Sequence, residues 1–357
     1  MADDAATRRL KAQVRQLERA LRRREDDSLA AERVRKEIFG LATTPLPRPR
    51  WLASKTLTGR ETPGTPTLML SDWHLGERVS RRETAGVNSF GWQVAQERVT
   101  RTIETAISLA KDYQVRPNYA GVVVPILGDI LTGEIHEELK DTNDVDLLPL
   151  IPDAVAMIVQ ALRRLKGAFG QVYAPAVPGN HGRKDKKYRA KGWATANFDW
   201  LVYNLVEMHL NALGVEGVTI DAPISAEVGY TLHGHRFFCV HGHDLGVKGG
   251  DGIIGSIGPI VRGRLKVGSQ QAAMGRDFDT LLMGHWHQDV CVPGIIVNNS
   301  LKGPDEFSMR VLRAKPTPPS QTLFFTHPHH GITSYWRVFC DAAQQVKTSP
   351  RELLWRA

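Results

Sequence analysis

Residues 121–129 read Gly121-Val122-Val123-Val124-Pro125-Ile126-Leu127-Gly128-Asp129, and this stretch decides the fold. A short, nearly unbroken apolar run rich in valine is the pattern of a strand buried on both faces. It ends on a glycine and delivers a carboxylate. Four other stretches repeat the plan. Ser71-Asp72-Trp73-His74 follows the apolar residues 67–70, and Gly179-Asn180-His181 follows 172–177. His241-Gly242-His243 follows 236–240, and Gly284-His285-Trp286-His287 follows 280–283. Aspartate, asparagine and histidine are the oxygen and nitrogen donors that divalent metals of intermediate softness take. A lone histidine near a strand end is usually structural or at the surface. Five donor clusters in this order point to a two-metal hydrolase site.

Spacing adds detail. Asp72 and His74 are two apart, so at an extended strand end their side chains leave on one side, and His285 and His287 repeat this. Asp129, Asn180 and His241 each add one donor. Gly128, Gly179, Gly242 and Gly284 mark sharp turns beside the donors. Asp129 stands alone in its cluster and is the candidate bridge between two cations. His243 either replaces or assists His241 or stands behind it. His233, His235, His327, His329 and His330 read as polar turn residues. His136, with Glu134, Glu137 and Glu138, reads as a solvated loop or a substrate-side wall.

The rest of the chain frames these clusters. Helices are expected at 90–113, 155–169 and 193–213, with further strands at 295–299 and 333–339. Mixed β-β and β-α units predict an α/β fold of two packed sheets with helices outside. Leu10, Val14, Leu17 and Leu21 mark residues 1–40 as an amphipathic, coiled-coil-like helix. It is suited to self-association, to a protein partner, or to packing on the body. Five prolines make 41–66 a linker. The catalytic domain is expected at 67–340 and a C-terminal tail at 341–357.

Composition limits the function. No apolar run is long enough to span a bilayer. The start Met1-Ala2-Asp3-Asp4 lacks the basic-then-apolar pattern of a signal peptide. Cys239, Cys291 and Cys340 have no metal-type spacing and cannot all pair, which fits a reducing cytoplasm. The formal net charge of +8 suits a polyanionic partner. Arg183, Lys184, Lys186, Lys187, Arg189 and Lys191 directly follow Asn180 and His181, and Arg262, Arg264 and Lys266 form a second basic stretch. Arg183, Lys184, Lys186 and Lys187 are the candidate phosphate contacts, a role that makes binding salt-dependent. Tyr188 and Trp193 flank the basic loop, where they could stack on bases or pack in the core.

The motifs D-x-H at 72–74, G-D at 128–129, G-N-H at 179–181, H-G at 241–242 and G-H-x-H at 284–287 together resemble the calcineurin-like metallophosphoesterase superfamily. The resemblance covers roughly residues 67–340. It implies a four-layer α-β-β-α sandwich with the site at the strand ends. It also implies one cation on Asp72, His74, Asp129 and His287 and a second on Asp129, Asn180, His241 and His285. His181 resembles the family's catalytic non-ligand histidine, which steadies the transition state or protonates the leaving oxygen. One departure is plain. Gly182 stands where many members carry an acid that orients this histidine.

The expected chemistry is in-line attack on phosphorus by a metal-bound hydroxide between two divalent cations. Manganese is favoured because the donor set has no thiolate, and iron or zinc is allowed. Asp72-Trp73-His74-Leu75-Gly76 is similar to the nuclease subunit of double-strand-break repair complexes. Residues 179–183, 197–200 and 300–303, with Asp305-Glu306, are similar to phage- or prophage-encoded members labelled DNA exonucleases. The expectation is therefore a phosphodiesterase acting on DNA, as exo- or endonuclease. A hydrolase of a small nucleotide or phosphoprotein, and a non-catalytic interaction protein with a vestigial site, stand as alternatives.

Overall fold

Pro125 interrupts the strand that the sequence places at 121–127. Proline has no N–H for the ladder, so in the computed structural model β2 is only Val122–Val123. Ile126 carries the strand on through single bridges to Leu70 and Ala176. The structure describes residues 48–53, 64–115, 117–245 and 257–342. The helix expected at 1–40 and nearly all of the tail expected at 341–357 lie outside them.

β2 runs between β1 (Thr65–Met69) and β3 (Val172–Pro175), and β4 (Val218–Asp221) follows, all four parallel. β10 (Ser320–His327) and β11 (Gly331–Phe339) add antiparallel strands beyond β1, giving the order β11-β10-β1-β2-β3-β4. The second sheet is built from β5 (Val228–Leu232), β6 (His235–Cys239), β7 (Thr280–Met283), β8 (Val290–Val292) and β9 (Ile295–Val297). Its order is β5-β6-β7-β9-β8, with β6, β7 and β9 parallel.

Alternation along the strands builds the layers. Leu68, Val122, Val172 and Ala174 face the helices α1 (Trp92–Lys111), α3 (Leu147–Phe169) and α4 (Phe198–Ala212). Their neighbours Met69, Val123 and Tyr173 face the other way, against Tyr230, Phe237, Leu282 and Ile296 of the second sheet. The outer face of that sheet, with Phe238, Leu281, Met283 and Val297, packs on Ile260 of α5 (Ile257–Ala273). The molecule is an α-β-β-α sandwich. Two short helices, α2 (Glu137–Thr142) and α6 (Glu306–Arg310), lie outside these layers. No helix among the described residues is long and apolar enough to cross a membrane.

Several sequence expectations shift. α3 starts at Leu147 rather than 155, because Pro149 falls in the first turn, where no N–H partner is needed. α4 starts at Phe198 rather than 193, because the Asn197 side chain accepts the Asp199 N–H and caps the helix there. The proposed linker at 41–66 is partly structured. Arg50–Ala53 form a 3₁₀ turn that buries Leu52 in the inter-sheet core, and Pro66 pairs with Phe325 inside β1. Glu137 and Glu138, read with His136 as a solvated loop or a substrate-side wall, open α2.

Candidate metal centre

The donor loops leave the C-terminal ends of parallel strands, where ligand sites of open α/β sheets sit. Asp72 and His74 follow β1, Asp129 follows β2, and Asn180 and His181 follow β3. His241 follows β6, and His285 and His287 follow β7. The first three loops belong to one sheet and the last two to the other. Across the seam the side chains form two triads, Asp72, His74 and His287, then Asp129, His241 and His285. Each triad draws donors from both sheets.

The backbone pays for this arrangement. Among the described residues nine non-glycine residues have positive φ, and five of them are Asp72, His74, Asp129, His285 and His287. Such conformations cost energy and gather at functional sites. The Asp72–His74 pair therefore does not sit on an extended strand end. Each donor makes its own left-handed turn, and the pair still reaches one centre. Of the flanking glycines, Gly128 and Gly242 do take positive φ. Gly179 and Gly284 serve instead for close approach, since a Cβ there would collide with the carboxylates of Asp129 and Asp72.

Asp129 stands between the triads. Its Oδ2 lies 3.1 Å from His241 Nε2 and 3.9 Å from His74 Nε2. Asn180 Oδ1 is 3.0 Å from the same His241 nitrogen. His74 Nε2 and His287 Nε2 are 3.1 Å apart, and His287 Nε2 lies 3.3 Å from Asp72 Oδ1. His241 Nδ1 donates to the Leu127 carbonyl at 2.7 Å, so a neutral His241 turns a lone pair toward two oxygens. Such a concentration of acceptors calls for a cation or an extra proton. Burial opposes charge on His241, yet Asp129 overrides it and raises the pKa to about 9. Burial, with Lys302 next, pulls His74 well below the usual histidine range, and burial with His241 does the same to His285. Neutral imidazoles are what metal ligation needs. The donor set fits two divalent cations.

A supporting layer fixes these groups, as is common behind metal ligands. Glu77 Oε2 lies 3.5 Å from His74 Nδ1 and accepts the Thr132 hydroxyl at 2.9 Å. Its other oxygen accepts from buried Lys302 at 2.8 Å, and Lys302 also pairs with Asp305. Ser71 Oγ donates to Asp72 and accepts from Asn298. Asp199, fully buried, accepts the backbone N–H of Gly179 at 3.0 Å and of Leu131 at 3.1 Å. Burial, then the nearby Asp129 charge, raises its pKa to about 7. Sequence reading missed Glu77, Lys302 and Asp199 as supports. Asp199 and Lys302 fall in stretches 197–200 and 300–303, which the sequence singled out only by resemblance and with no role for either residue.

His181 lies at the rim of the centre. Its Nδ1 donates to the Thr132 carbonyl at 2.9 Å, leaving Nε2 free, and its ring meets the His74 ring edge-on. The Gly182 departure has a steric reason. A Cβ there would run into Asn197 Oδ1 and the Asp199 carboxyl group. Thr132 orients His181 in place of an acid at 182.

The triads open into a cavity of about 1630 Å³. His136 and α2 form part of its wall, and Arg78, Arg310 and Lys315 reach it as well. The basic loop does not line it. Arg183 donates to the carbonyls of Asn180, Asp185 and Lys186, Lys186 pairs with Glu137, and Arg189 with Asp185. Lys184 and Lys187 also stand off the cavity wall, and Arg264 lies over the Phe278 ring. His243 stacks on Trp193 with ring centroids 4.6 Å apart. His233 and His235 bond Thr65 and Thr280, and His327 stacks on His330.

No family model and no curated protein matches this chain. Among solved structures, it is similar to the sulfate thiohydrolase SoxB of Thermus thermophilus, solved in complex with glycerol. The TM-score is 0.33 at 10% identity, over 78% of this chain and 57% of SoxB, so this chain spans little more than half of that protein. A likeness of that size carries no functional argument, and the case for this site rests on its own geometry.

Proposed function

We propose that the chain is a two-metal phosphoesterase that hydrolyses phosphodiester bonds of DNA. The observation that carries this reading is the single Asp129 oxygen facing both triads, beside a histidine whose outward nitrogen is free. Bound divalent cations, manganese by preference, would supply an activated water and neutralise phosphate oxygens. The protein's own residues do the rest. Asp72, His74 and His287 hold one side of the phosphate site and Asp129, Asn180, His241 and His285 the other. Thr132 fixes the His181 ring so that Nε2 holds a proton at the leaving oxygen when the imidazole is charged.

A polymer substrate is favoured by size and charge. The cavity exceeds the roughly 300–1,000 Å³ usual for small-molecule sites. The net charge of +8 favours a polyanion. A small nucleotide phosphodiester is the second reading. It is favoured by the internal bonds of Arg183 and Lys186, which leave the basic loop fewer free phosphate contacts than its sequence suggests.

The test is an assay with manganese on labelled single- and double-stranded DNA, beside a small phosphodiester, a small phosphomonoester and an Asp129→Asn control. DNA cleavage that disappears in the control and falls steeply with salt supports the DNA reading. Turnover confined to the small esters replaces it with the second.

A further inference from the structure

We propose that Tyr188, Trp193 and His243 form a subsite that stacks one nucleobase beside the second triad. This rests on the reading of the centre as a hydrolase of nucleotide phosphodiesters. Three independent observations converge on it.

First, a separate small cavity of about 120 Å³ lies here, lined by Tyr188, Trp193, Glu227, His241, His243 and Asp244. His241 belongs both to this cavity and to the triad with Asp129, so an occupant would sit one residue away from the phosphate site. A volume this small admits a single planar ring system and not a sugar-phosphate chain.

Second, one part of its wall is aromatic. Trp193 stacks on His243 at an interplanar angle of 22°, and Tyr188 leans on both, 5.1 Å from Trp193 and 5.8 Å from His243. The Tyr188 side chain stays about half exposed, with 54% of its surface open. A half-open aromatic wall leaves a π-face for a base, and stacking of this kind tolerates any base.

Third, His243 is polar and unanswered. Its side chain is only 10% exposed, and among the described residues neither ring nitrogen has a hydrogen-bond partner. Buried polar atoms without partners are rare and costly. Glu227 and Asp244 add acceptors at the same cavity. An imidazole that both donates and accepts, with carboxylates next to it, matches the mixed edge of a base. A purely apolar ring would leave His243 unsatisfied.

The loop itself is held for this purpose. Arg183 bridges to Asn197 at its base and bonds three of its carbonyls. The arginine thereby braces the loop that carries Tyr188 and Trp193.

The test compares the full chain with Tyr188→Ala and Tyr188→Phe. With manganese, kcat/KM is measured on a dinucleotide and on the same phosphodiester carrying an abasic sugar. In metal-free protein, equilibrium dialysis compares a nucleoside monophosphate with ribose 5-phosphate. The base-bearing ligand is expected to win by roughly tenfold in both arms for the parent and for Tyr188→Phe, as aromatic stacking of one base allows. The ratio should collapse toward one in Tyr188→Ala. Equal values with and without the base in the parent overturn the subsite, and so does an unchanged ratio in Tyr188→Ala. If the parent cleaves neither phosphodiester, the hydrolase reading fails, and the dialysis arm alone decides the subsite.

Discussion

The backbone N–H of His181 donates to Oδ1 of Asp129 at 2.7 Å, which leaves Oδ2 as the oxygen facing both triads. One peptide group therefore couples the proposed catalytic histidine to the carboxylate proposed as the bridge. The two residues should nonetheless separate by mutation. Asp129→Asn should lose bound metal and activity together. His181→Gln should keep its metal, measured by elemental analysis after dialysis, and lose roughly 10²–10⁴-fold in kcat. Loss of metal in His181→Gln would show that the ring itself is a ligand.

Glu77 stands behind His74 as a carboxylate behind an imidazole. Glu77→Gln should weaken metal affinity by about 10–100-fold, the usual effect of removing such a partner. Titration of metal-free protein with manganese reads this directly. An unchanged affinity would reduce Glu77 to a packing partner of Lys302.

Restoring an acid after His181 should harm the protein. Gly182→Asp places a Cβ against Asn197 and Asp199, which themselves hold Gly179. Overpacking of this kind costs about 1–3 kcal/mol. Urea denaturation should show that loss, and metal binding should fall with it. A variant as stable as the parent would show that the start of α4 yields easily.

Asp305 gives a pH prediction. Burial works against its charge, but Lys302 overrides burial and holds the carboxyl well below the usual aspartate range. A pKa lower in the folded than in the unfolded chain stabilises the fold above the unfolded value of about 4. That contribution is lost as the pH falls through the folded value. Asp305→Asn should therefore cost about 2 kcal/mol at pH 7, the scale of a charged hydrogen bond. Its deficit against the parent should narrow below about pH 4. A deficit constant from pH 7 to pH 3 would show that the loss does not come from the Asp305 charge.

The donors were legible because each ends an apolar run, and strand ends gather at one edge of a parallel sheet. The family resemblance, not the order, separated Asp72, His74 and His287 from Asp129, His241 and His285; spacing alone put His285 and His287 together, and the structure divides them between the triads. The left-handed backbone at five of these residues was not legible. Glycines nearby suggested that they alone make the turns, whereas Gly179 and Gly284 are small for room. β4, β5 and β8 are only three to five residues long, too short for a period to stand out, and α5 hid behind its arginines. The Glu77–Lys302–Asp305 network joins side chains up to 228 positions apart, a pairing that only the folded chain reveals. The basic loop was legible only in part. Its charge was visible, but its internal bonds were not.

Each triad takes donors from both sheets, and that has a consequence beyond catalysis. Cations bound there would act as clasps between two halves that otherwise meet through apolar side chains such as Met69 and Leu282 and a set of hydrogen bonds such as His241 to Leu127. A ligand present at a thousand times its Kd adds about 4 kcal/mol to a fold, a large share of a typical domain's total. Chelation would thus lower the stability of the sandwich as well as silence it. Metal supply would set how long each molecule survives, not only how fast it turns over.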